Sequence, residues 1–568
     1  MDVAVVMEET SYLTTSIYSV LLGFIAVLAA LYYYIEIHSE GHRLIKKLPG
    51  PPSLPIIGHS LLTLGISSRL IFLRCMELVN QYGPVIGMYL GHRKCVALAD
   101  PQDLEIILSS SVHINKAESY RFFKPWLGDG LLINEGEKWR RHRKIIAPTF
   151  HISILKSFVP LFYENSISLV KRLTKEVGKE FDCHDYLSAT TVDILTETAM
   201  GVPLEPGQST GHEFAKAVME MSDITHRRHF DILLFFDKTF SFFKLSKLQK
   251  KLLKTIHTVT NRVIEKKSKA VDEQLRNAQQ NEQKETQSDK LTKSTDAVKD
   301  TKNTGNNGDN HMKFHYVRDD LDDIDENDTG DKKRHAFLET MLILKKMTGQ
   351  MTDQEVWDEV NTIMFEGHDT TAAGSSFTLC VLGSRPDIQA RVHEEVDSIF
   401  GDSDRQCTFQ DTLEMKYLER VILEALRHFP PVPIIARRLT ENVKIVTGNY
   451  VIPKNAEILL APYITHHLEK YYRNPYVFDP DNFLPEKMQN RHYYAYIPFS
   501  AGPRSCVGRK FAMLKLKVLL STILRNYRII SDKSDNEFEL RADIILKRED
   551  GFNIKIEPRK PMSFTPGQ

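Results

Sequence analysis

One short segment, PFSAGPRSCVGRKFA (Pro498–Ala512), constrains this chain more than any other part of its sequence. It places one cysteine, Cys506, among glycine, proline and arginine, and a helix-like sequence follows at once. Gly502 and the proline after it fit a tight turn, Arg504 brings positive charge, and Gly508 lets backbone or a flat ligand approach closely. A cysteine held still in this way, with its sulfur accessible and its charge stabilised, is suited to ligate a metal ion.

The other cysteines form no recognisable framework. The chain has six, with no CxxC pair and no even spacing, which argues against a zinc ribbon and a disulfide scaffold. The ordinary role of a single cysteine is that of a small buried apolar side chain. For Cys506 a further alternative is a nucleophile at a helix N-terminus, although the sequence identifies no histidine partner for it.

The N-terminus predicts a membrane anchor. No residue from Thr10 to Ile35 carries a formal charge, and at about 1.5 Å per residue Ile17–Ile35 alone reaches roughly 28 Å, enough for the hydrocarbon layer. A cleaved signal peptide is the alternative, but its basic n-region is missing. Because basic residues follow the apolar stretch, the positive-inside rule places the body in the cytosol and the tip in the lumen. We expect an anchor at 1–37 and a basic, proline-rich, extended hinge at 38–58.

The rest of the sequence predicts one large domain, residues 59–560 with a tail at 561–568, that is mainly α with small β-sheets (α+β). Long helical patterns dominate, and strand-like patterns occur at Pro84–Asp100, Val443–Leu459 and Tyr527–Ile556. Apolar residues make up 42% of the chain and charged residues 26%, which is ample for a core. The 74 basic and 74 acidic residues cancel without a basic arm, so we expect no nucleic-acid partner.

A disordered loop is predicted inside this domain at 272–333. Gln274–Asn310 contains no aromatic residue, and acidic residues crowd Asp319–Asp331. Such a stretch buries too little apolar surface to offset the entropy lost on ordering it. A segment that docks a partner is the alternative.

The cysteine segment resembles the Phe-x-x-Gly-x-Arg-x-Cys-x-Gly-x-x-x-Ala signature of the cytochrome P450 superfamily. The matching residues are Phe499, Gly502, Arg504, Cys506, Gly508 and Ala512. The resemblance implies the cytochrome P450 fold from about Lys46 to the C-terminus. It also implies a bound haem b (iron protoporphyrin IX), with Cys506 as the thiolate ligand of the iron. By the same resemblance Phe499 and Gly508 would border the haem, and Arg504 would bind a haem propionate.

A second match is FEGHDTT (Phe365–Thr371), which follows a helical run. Glu366 and Thr370 lie four residues apart on one helix face, with Asp369 adjacent, and an alcohol beside a carboxylate in an apolar helix can pass protons. The alternative is a polar surface stripe. In the superfamily this helix crosses the haem, and the resemblance implies that Asp369 and Thr370 are the catalytic proton-delivery pair.

Glutamate at position 366, where the superfamily usually has alanine or glycine, narrows the resemblance. Together with GEKWRRHRKIIAPTFH it looks like the fourth cytochrome P450 family, the fatty-acid ω-hydroxylase group and its arthropod relatives. In several members of that family this glutamate esterifies a haem methyl group. The resemblance therefore implies a covalent link between Glu366 and the haem as a hypothesis.

A third match, GEKWRRHR, contains Trp139 and Arg143 on one helix face. A guanidinium can grip a carboxylate there while an indole N–H donates beside it, and a solvated basic helix is the alternative. The resemblance implies that both residues bind haem propionates, with Arg437 as a further contact.

A fourth match is Glu424-x-x-Arg427, which is weak alone because Glu137-x-x-Arg140 fits the same pattern. Its position before Cys506, in a helix that prolines close, makes it resemble the structural ion pair of the superfamily. Relatives usually join this pair to a downstream arginine, where this chain has Asn482. The sequence therefore predicts a simpler pair.

The function that the resemblance implies is a membrane-bound haem-thiolate monooxygenase. It would insert one oxygen atom of O2 into a C–H bond of a lipophilic substrate, fatty-acid or terpenoid-like. No flavin or nicotinamide fingerprint is present, so we expect electrons from NADPH through a separate NADPH–cytochrome P450 reductase, with cytochrome b5 as a further partner. The expected location is the endoplasmic reticulum membrane, crossed once. Four basic residues are expected to face an acidic partner: Arg141, Lys144, Arg509 and Lys510.

Two other functions share the same thiolate site. One is a haem-thiolate isomerase that rearranges a peroxide without O2 or reductase, against which Asp369 and Thr370 argue. The other is a non-catalytic, membrane-tethered haem sensor or carrier. Oxygen and NADPH consumption coupled to product formation would separate all three.

Overall fold

The fold is mainly helical, as the sequence predicts, in a computed structural model that describes residues 3–203, 211–288, 335–531 and 533–559. The helices up to residue 288 are α1 (Val3–His38), α2 (Glu40–Ile45), α3 (Ser68–Tyr82), α4 (Pro101–Leu108), α5 (Lys124–Leu127), α6 (Gly136–Ile146), α7 (Ile152–Leu173), α8 (Cys183–Glu197), α9 (Gly211–Phe230), α10 (Ile232–Phe235), α11 (Asp237–Phe240) and α12 (Lys244–Ser288). The later helices are α13 (Phe337–Ile343), α14 (Asp353–Ser384), α15 (Pro386–Phe400), α16 (Phe409–Glu414), α17 (Lys416–His428), α18 (Pro462–Thr465), α19 (Pro485–Gln489) and α20 (Arg509–Asn526).

The strands form small sheets. They are β1 (Val85–Leu90), β2 (Arg93–Leu98), β3 (Glu180–Asp182), β4 (Ile435–Arg438), β5 (Val443–Lys444), β6 (Val451–Ile452), β7 (Glu457–Leu460), β8 (Tyr527–Ile530), β9 (Leu540–Ala542), β10 (Leu546–Arg548) and β11 (Asn553–Pro558). The largest sheet has the order β1-β2-β7-β4, in which only β2 and β7 run parallel. A second sheet has the order β3-β11-β8, and β9 pairs with β10 as a hairpin. The sheet around β1 and β7 encloses a small apolar core, while the helices enclose the main one.

Helix α14 runs through the main core, and its first turn is fixed by a capping box. The Thr352 hydroxyl accepts from the backbone N–H of Glu355 at 3.1 Å, and the Glu355 carboxylate accepts from the backbone N–H of Thr352 at 2.9 Å. Glu355 also bonds to Arg141 and contacts the His142 ring on α6. These bonds tie α6 to the start of α14, so the two helices that carry Trp139, Arg143, Glu366, Asp369 and Thr370 are held together.

The N-terminal helix contains the predicted anchor. Within the described residues, the stretch Ser16–His38 is long and apolar enough to cross a membrane, and none of its most apolar part is buried against the body. The predicted hinge differs from a free spacer, because α2 forms inside it and Ile45 and Leu48 are buried. The Pro49 carbonyl accepts from the Gly87 N–H at 2.8 Å. The segment therefore packs on β1 as part of the body.

The predicted start of the disordered loop, at residue 272, lies inside a helix. Helix α12 continues to Ser288, past the predicted start at residue 272. Its lysine- and glutamine-rich second half has good helix formers, which compositional reasoning about a core undervalues. Residues 289–333 and the predicted tail at 561–568 lie outside the described residues.

Candidate active site

An internal cavity of about 320 Å³ brings most of the predicted site residues together. Its wall is mainly apolar and comes from α3, α6, α9, α14, β4, the turn between β9 and β10, and the segment around Cys506. The predicted residues in this wall are Trp139, Arg143, Glu366, Thr370, Arg437, Phe499, Arg504, Cys506 and Gly508. Asp369, Glu424 and Arg427 lie outside it. Sequence positions separated by hundreds of residues thus meet around one space.

The loop before α20 presents the sulfur of Cys506 to this cavity. The Cys506 N–H donates to the Phe499 carbonyl at 2.9 Å, which closes the loop. Gly502 has a φ of 68°, and a Cβ there would lie 1.9 Å from the carbonyl oxygen of Leu108 at the end of α4. Only glycine fits that place. Cys506 is exposed toward the cavity, whereas Cys75 is half-buried and the other cysteines are buried.

The protein groups around Cys506 favour a neutral thiol over a thiolate. Burial raises the pKa of the Cys506 thiol to about 11, and the Glu366 carboxylate contributes in the same direction. A thiolate at this position therefore needs a strong local positive charge, which a metal ion supplies. The backbone N–H of Gly508 and the arginines at 143 and 509 lower the pKa only in part.

Four buried cations converge beside Cys506. Arg504 donates to the carbonyl oxygens of Ile114, Leu131 and Asn134, and its guanidinium lies 4.3 Å over the Trp139 ring. Arg143 donates to the Ser505 carbonyl at 2.8 Å. The third is Arg437, which the sequence analysis named, and the fourth is Lys116, which it missed.

Three of these cations have no anionic partner among the residues that the structure describes. Among the described residues, Lys116, Arg437 and Arg504 form no ion pair within 4.0 Å. Burial and the field of Arg437 bring the pKa of Arg504 down to about 9, and the same two causes place the pKa of Lys116 well below its usual value. Buried charge of one sign is costly unless a counter-charge joins it. An anionic ligand in the cavity would compensate this group.

Helix α14 presents Glu366 and Thr370 to the cavity. The Thr370 hydroxyl donates to the Glu366 carbonyl oxygen at 2.7 Å, which occupies its proton within the helix. Burial raises the pKa of the Glu366 carboxyl to about 7, with Lys116 and Arg143 opposing that shift and Glu359 adding to it. Glu366 therefore sits near the middle of its titration at neutral pH.

Asp369 lies on the other side of the same helix, away from the cavity. Its carboxylate is fully buried, 3.5 Å from the ammonium of Lys547 on β10 and 4.0 Å from the Nε2 of His184 on α8. Burial raises the pKa of Asp369, but Lys547, His368 and His184 outweigh it and lower the pKa below its ordinary value. An ionised Asp369 would reach Thr370 only from behind the helix, so its role in proton delivery remains a prediction.

The Glu424 and Arg427 pair is fully buried and bidentate, with both N···O distances at 2.8 Å. Arg427 also donates to the carbonyls of His466 and Pro475, each at 2.8 Å. The pair is not as simple as the sequence predicts, because the Asn482 amide donates to Glu424 at 3.1 Å. A neutral amide supplies the N–H that an arginine would, so the three-way network persists with one charge fewer.

The predicted basic face is only half correct. Arg141 and Lys144 are exposed, although Arg141 is bonded to Glu355. Arg509 and Lys510 are 3% and 5% exposed, so they lack the exposure that the prediction requires. They open α20 directly behind Cys506, and the pattern of charges in the sequence gives no sign of their burial.

The donor set fits a haem. The Cys506 sulfur would ligate the haem iron, the apolar wall suits a porphyrin, and the cations beside Trp139 would bind the propionates. The space at Gly508 fits too, since the nearest atom to a Cβ there is the Cys506 Sγ, at 4.0 Å. When bound, haem ligated by thiolate supplies oxygen activation for C–H oxidation.

Comparison with known proteins agrees with this geometry. The cytochrome P450 family model matches residues 48–556. The chain therefore belongs to the cytochrome P450 family, whose cofactor is haem b and whose members are monooxygenases. A solved structure described as a cytochrome P450DA heme domain shares the fold, with a TM-score of 0.68 at 20% identity over 90% of this chain and 98% of that one.

The more similar relatives narrow the family. Cytochrome P450 4g15 of Drosophila melanogaster is 49% identical over 91% of this chain and 93% of its own length. Cytochrome P450 4g1 of the same species is 47% identical over 99% of both chains. Human cytochrome P450 4V2 is 36% identical over 89% of this chain and 88% of its own. These relatives place the chain in family 4, as the glutamate at position 366 predicts.

Proposed function

We propose that this monooxygenase oxidises a C–H bond of a lipid-soluble substrate, fatty-acid or terpenoid-like, that enters from a membrane. The observation that carries the proposal is Cys506 in the wall of a largely apolar cavity beside four buried cations. In this proposal Cys506 ligates the haem iron. Trp139, Arg143, Arg437 and Arg504 bind the propionates, and Phe499 and Gly508 border the haem. Lys116 joins the propionate-binding group.

The test of the haem site is the spectrum of the reduced carbon monoxide complex of the full chain. We expect a thiolate-type spectrum for the wild type and its loss in Cys506→Ser. Cys75→Ser is the matched control, because Cys75 lines the same cavity and we expect its spectrum to be unchanged. A thiolate-type spectrum in Cys506→Ser would refute the assignment.

Membrane entry is supported by an exposed apolar surface, which we call the apolar patch. It consists of Ile56, Leu61, Leu233, Phe236, Phe242 and Phe243. The patch comes from two chain segments, one near residue 60 and one at 233–243. The Thr63 hydroxyl donates to the Phe230 carbonyl at 2.8 Å and so connects them. Phe230 also lines the cavity. An exposed apolar surface beside the cavity wall, on a chain with an apolar N-terminal helix, favours a substrate that partitions into lipid.

Proton supply in this proposal uses Thr370 and Asp369. Thr370 faces the cavity and Asp369 lies behind it among Lys547, His184 and His368. Thr370 would orient a water or substrate hydroxyl, and Asp369 would hold the negative charge that draws protons inward. We expect Thr370→Ala to release more hydrogen peroxide per NADPH consumed than the wild type, and an unchanged ratio would contradict this role.

A covalent bond between the Glu366 carboxylate and the haem is part of the proposal. Glu366 lines the cavity, and its carboxylate oxygen would replace one hydrogen of a haem methyl group. The broken C–H bond would lose two electrons to O2 during turnover with reductase and NADPH, and its proton would pass to water. We expect haem to remain on the wild-type protein after extraction with acidic organic solvent and to leave Glu366→Ala. Complete extraction from the wild type would refute the bond.

The proposed function needs a partner protein that donates electrons. No nucleotide-binding fingerprint is present in the sequence, so two electrons per turnover must come from another protein. We propose NADPH–cytochrome P450 reductase on the cytosolic face of the endoplasmic reticulum, with cytochrome b5 as a second donor. A reconstituted system in which lipid oxidation requires reductase, NADPH and O2 together tests this. Product from a lipid peroxide without these components would favour the isomerase, and haem binding without any product would favour the sensor.

A further inference from the structure

The cavity has a second polar position, apart from the haem-binding group, in the side chains of His226 and Asp543. His226 lies on α9 and Asp543 in the turn between β9 and β10, and both line the cavity. They are 4% and 6% exposed. Neither residue belongs to a motif that the sequence analysis identified.

Both side chains have buried atoms without hydrogen-bond partners. His226 Nδ1 and Asp543 Oδ1 accept and donate no bond within the described part of the chain. The other carboxylate oxygen of Asp543 lies 3.7 Å from the Arg541 Nε, and Arg541 is not part of the cavity wall. Buried polar atoms are rarely left unsatisfied, since each costs about 1–3 kcal/mol. Two of them in one cavity wall indicate a ligand group that bonds to both.

The position is electrostatically separate from the haem-binding group. The charged groups that act on the pKa of His226 are Asp543 and Arg227, whereas those that act on Glu366 are Lys116, Glu359 and Arg143. Burial lowers the pKa of His226 to about 4, so its ring is neutral at physiological pH and offers one donor and one acceptor. Asp543 offers a carboxylate oxygen, which only accepts.

The surroundings fix what the ligand group can be. It must donate to Asp543, so an alkane, an ether or an aldehyde fails to satisfy that oxygen. A free carboxylate would meet the Asp543 carboxylate in a low-dielectric wall, where like charges repel strongly. A hydroxyl group donates to one partner and accepts from the other, so it satisfies both.

We infer that His226 and Asp543 recognise a hydroxyl group on the lipid substrate, and that they discriminate against a carboxylate in the same place. This inference rests on the proposed function, whose substrate class it narrows to neutral hydroxylated lipids. The ring of Phe230, one turn after His226 and 4.9 Å from it, lines the cavity next to the apolar patch. The hydroxyl end of the lipid thus lies toward the patch, and its hydrocarbon end points to Cys506.

The experiment compares three linear probes of equal chain length: octadecane, 1-octadecanol and octadecanoic acid. Their binding to the haem-loaded full chain in lipid nanodiscs is measured from the shift of the haem absorbance and, independently, by calorimetry. We expect the alcohol to bind at least about tenfold more tightly than the alkane, the value of one hydrogen bond to a charged acceptor, and more tightly than the acid. Equal binding of alcohol and acid by the wild type would overturn the inference.

Two variants locate the discrimination. Asp543→Asn keeps the shape and removes the charge, so the preference for alcohol over acid should fall about tenfold or more. His226→Phe combined with Asp543→Leu should bind alcohol and alkane alike. Glu213→Gln is the matched control, because Glu213 lies on the same helix as His226 but is exposed and outside the cavity wall. An unchanged alcohol-to-acid ratio in Asp543→Asn would overturn the inference even if the double variant does not fold.

The result separates this inference from the proposed function. If the alcohol preference depends on Asp543 but no probe is oxidised with reductase, NADPH and O2, the recognition site stands and the proposed oxidation fails. If all three probes are oxidised without discrimination, the oxidation stands and the recognition site fails.

Discussion

At the scale of single residues, Lys515 is the least expected charge in the molecule. It lies on α20 with its side chain fully buried, and its ammonium donates to the Gly367 carbonyl of α14 at 2.7 Å. Burial brings the pKa of Lys515 down to about 7. This residue therefore bonds to the helix that carries Glu366 and Thr370, at the carbonyl of the residue that follows Glu366.

We expect Lys515 to make stability depend on pH. Its pKa is depressed in the folded chain, so between about pH 7 and its usual value near 10.5 the unfolded chain binds more protons than the folded one. Unfolding free energy then rises with pH across that window. In Lys515→Met this rise in the free energy of unfolding should be smaller. The variant should exceed the wild type in stability by the largest amount at or below pH 7, because the wild type must bury a charged ammonium there. The measurement is the temperature at which half of the reduced carbon monoxide spectrum is lost, compared between the two proteins from pH 6.5 to pH 9.

Lys517→Met is the control for that experiment. Lys517 lies on the same helix, nearly as buried, but its ammonium pairs with Glu419 at 2.9 Å. Its removal leaves a carboxylate without its partner and should destabilise the chain. A Lys515→Met variant that loses stability equally at every pH would contradict the proposed titration.

At the scale of elements, the turn before α20 depends on contact with α4. Gly502 combines a left-handed backbone with close approach to the Leu108 carbonyl, and both features fix where Cys506 points. Sequence reasoning predicts the turn from its glycine and proline but not the partner. The clash emerges only when α4, from four hundred residues earlier in the chain, is packed against it.

We expect Gly502→Ala to impair haem binding, because the added Cβ strains the backbone by roughly 1–3 kcal/mol and also displaces α4. Gly349→Ala is the matched control. Gly349 has a similar φ of 64°, and a Cβ there would meet nothing within 4 Å. Thermal denaturation should show a clearly larger loss for Gly502→Ala, with a lower haem content. Equal losses in the two variants would show that backbone strain alone matters.

The elements also show what the sequence determines and what it does not. The cysteine turn, α14, the strands near both ends of the domain and the apolar N-terminal helix follow from local patterns of glycine, charge and hydropathy. Lys116, His226, Asp543 and Lys547 do not, because each meets its partners only through packing between elements distant in sequence. The prediction that Arg509 and Lys510 are exposed is wrong for the same reason. Charge alone predicts exposure, whereas packing between elements buries these two residues.

At the scale of the whole molecule, the N-terminal helix and the apolar patch are two separate exposed apolar surfaces. We expect a chain that lacks residues 1–37 to sediment with phosphatidylcholine vesicles, because the exposed apolar side chains remain. Adding Phe242→Ser and Phe243→Ser should release most of it. Residue 242 is 88% exposed, the largest value among the exposed large hydrophobic side chains.

Met347→Ser is the control for vesicle binding. Met347 is also exposed, at 67%, but it lies between α13 and α14 rather than in the apolar patch. Its replacement should leave sedimentation unchanged. If the shortened chain stays in the supernatant without further substitution, the patch does not bind membranes.

The cluster of cations at 116, 143, 437 and 504 has a consequence for how the enzyme matures. Charges of one sign gathered in the interior oppose closure of the chain until an anionic ligand joins them, and a ligand that binds only the closed form stabilises it by mass action. We therefore expect cofactor supply to govern how much protein survives synthesis. A cell short of porphyrin would degrade newly made chains rather than accumulate inactive enzyme.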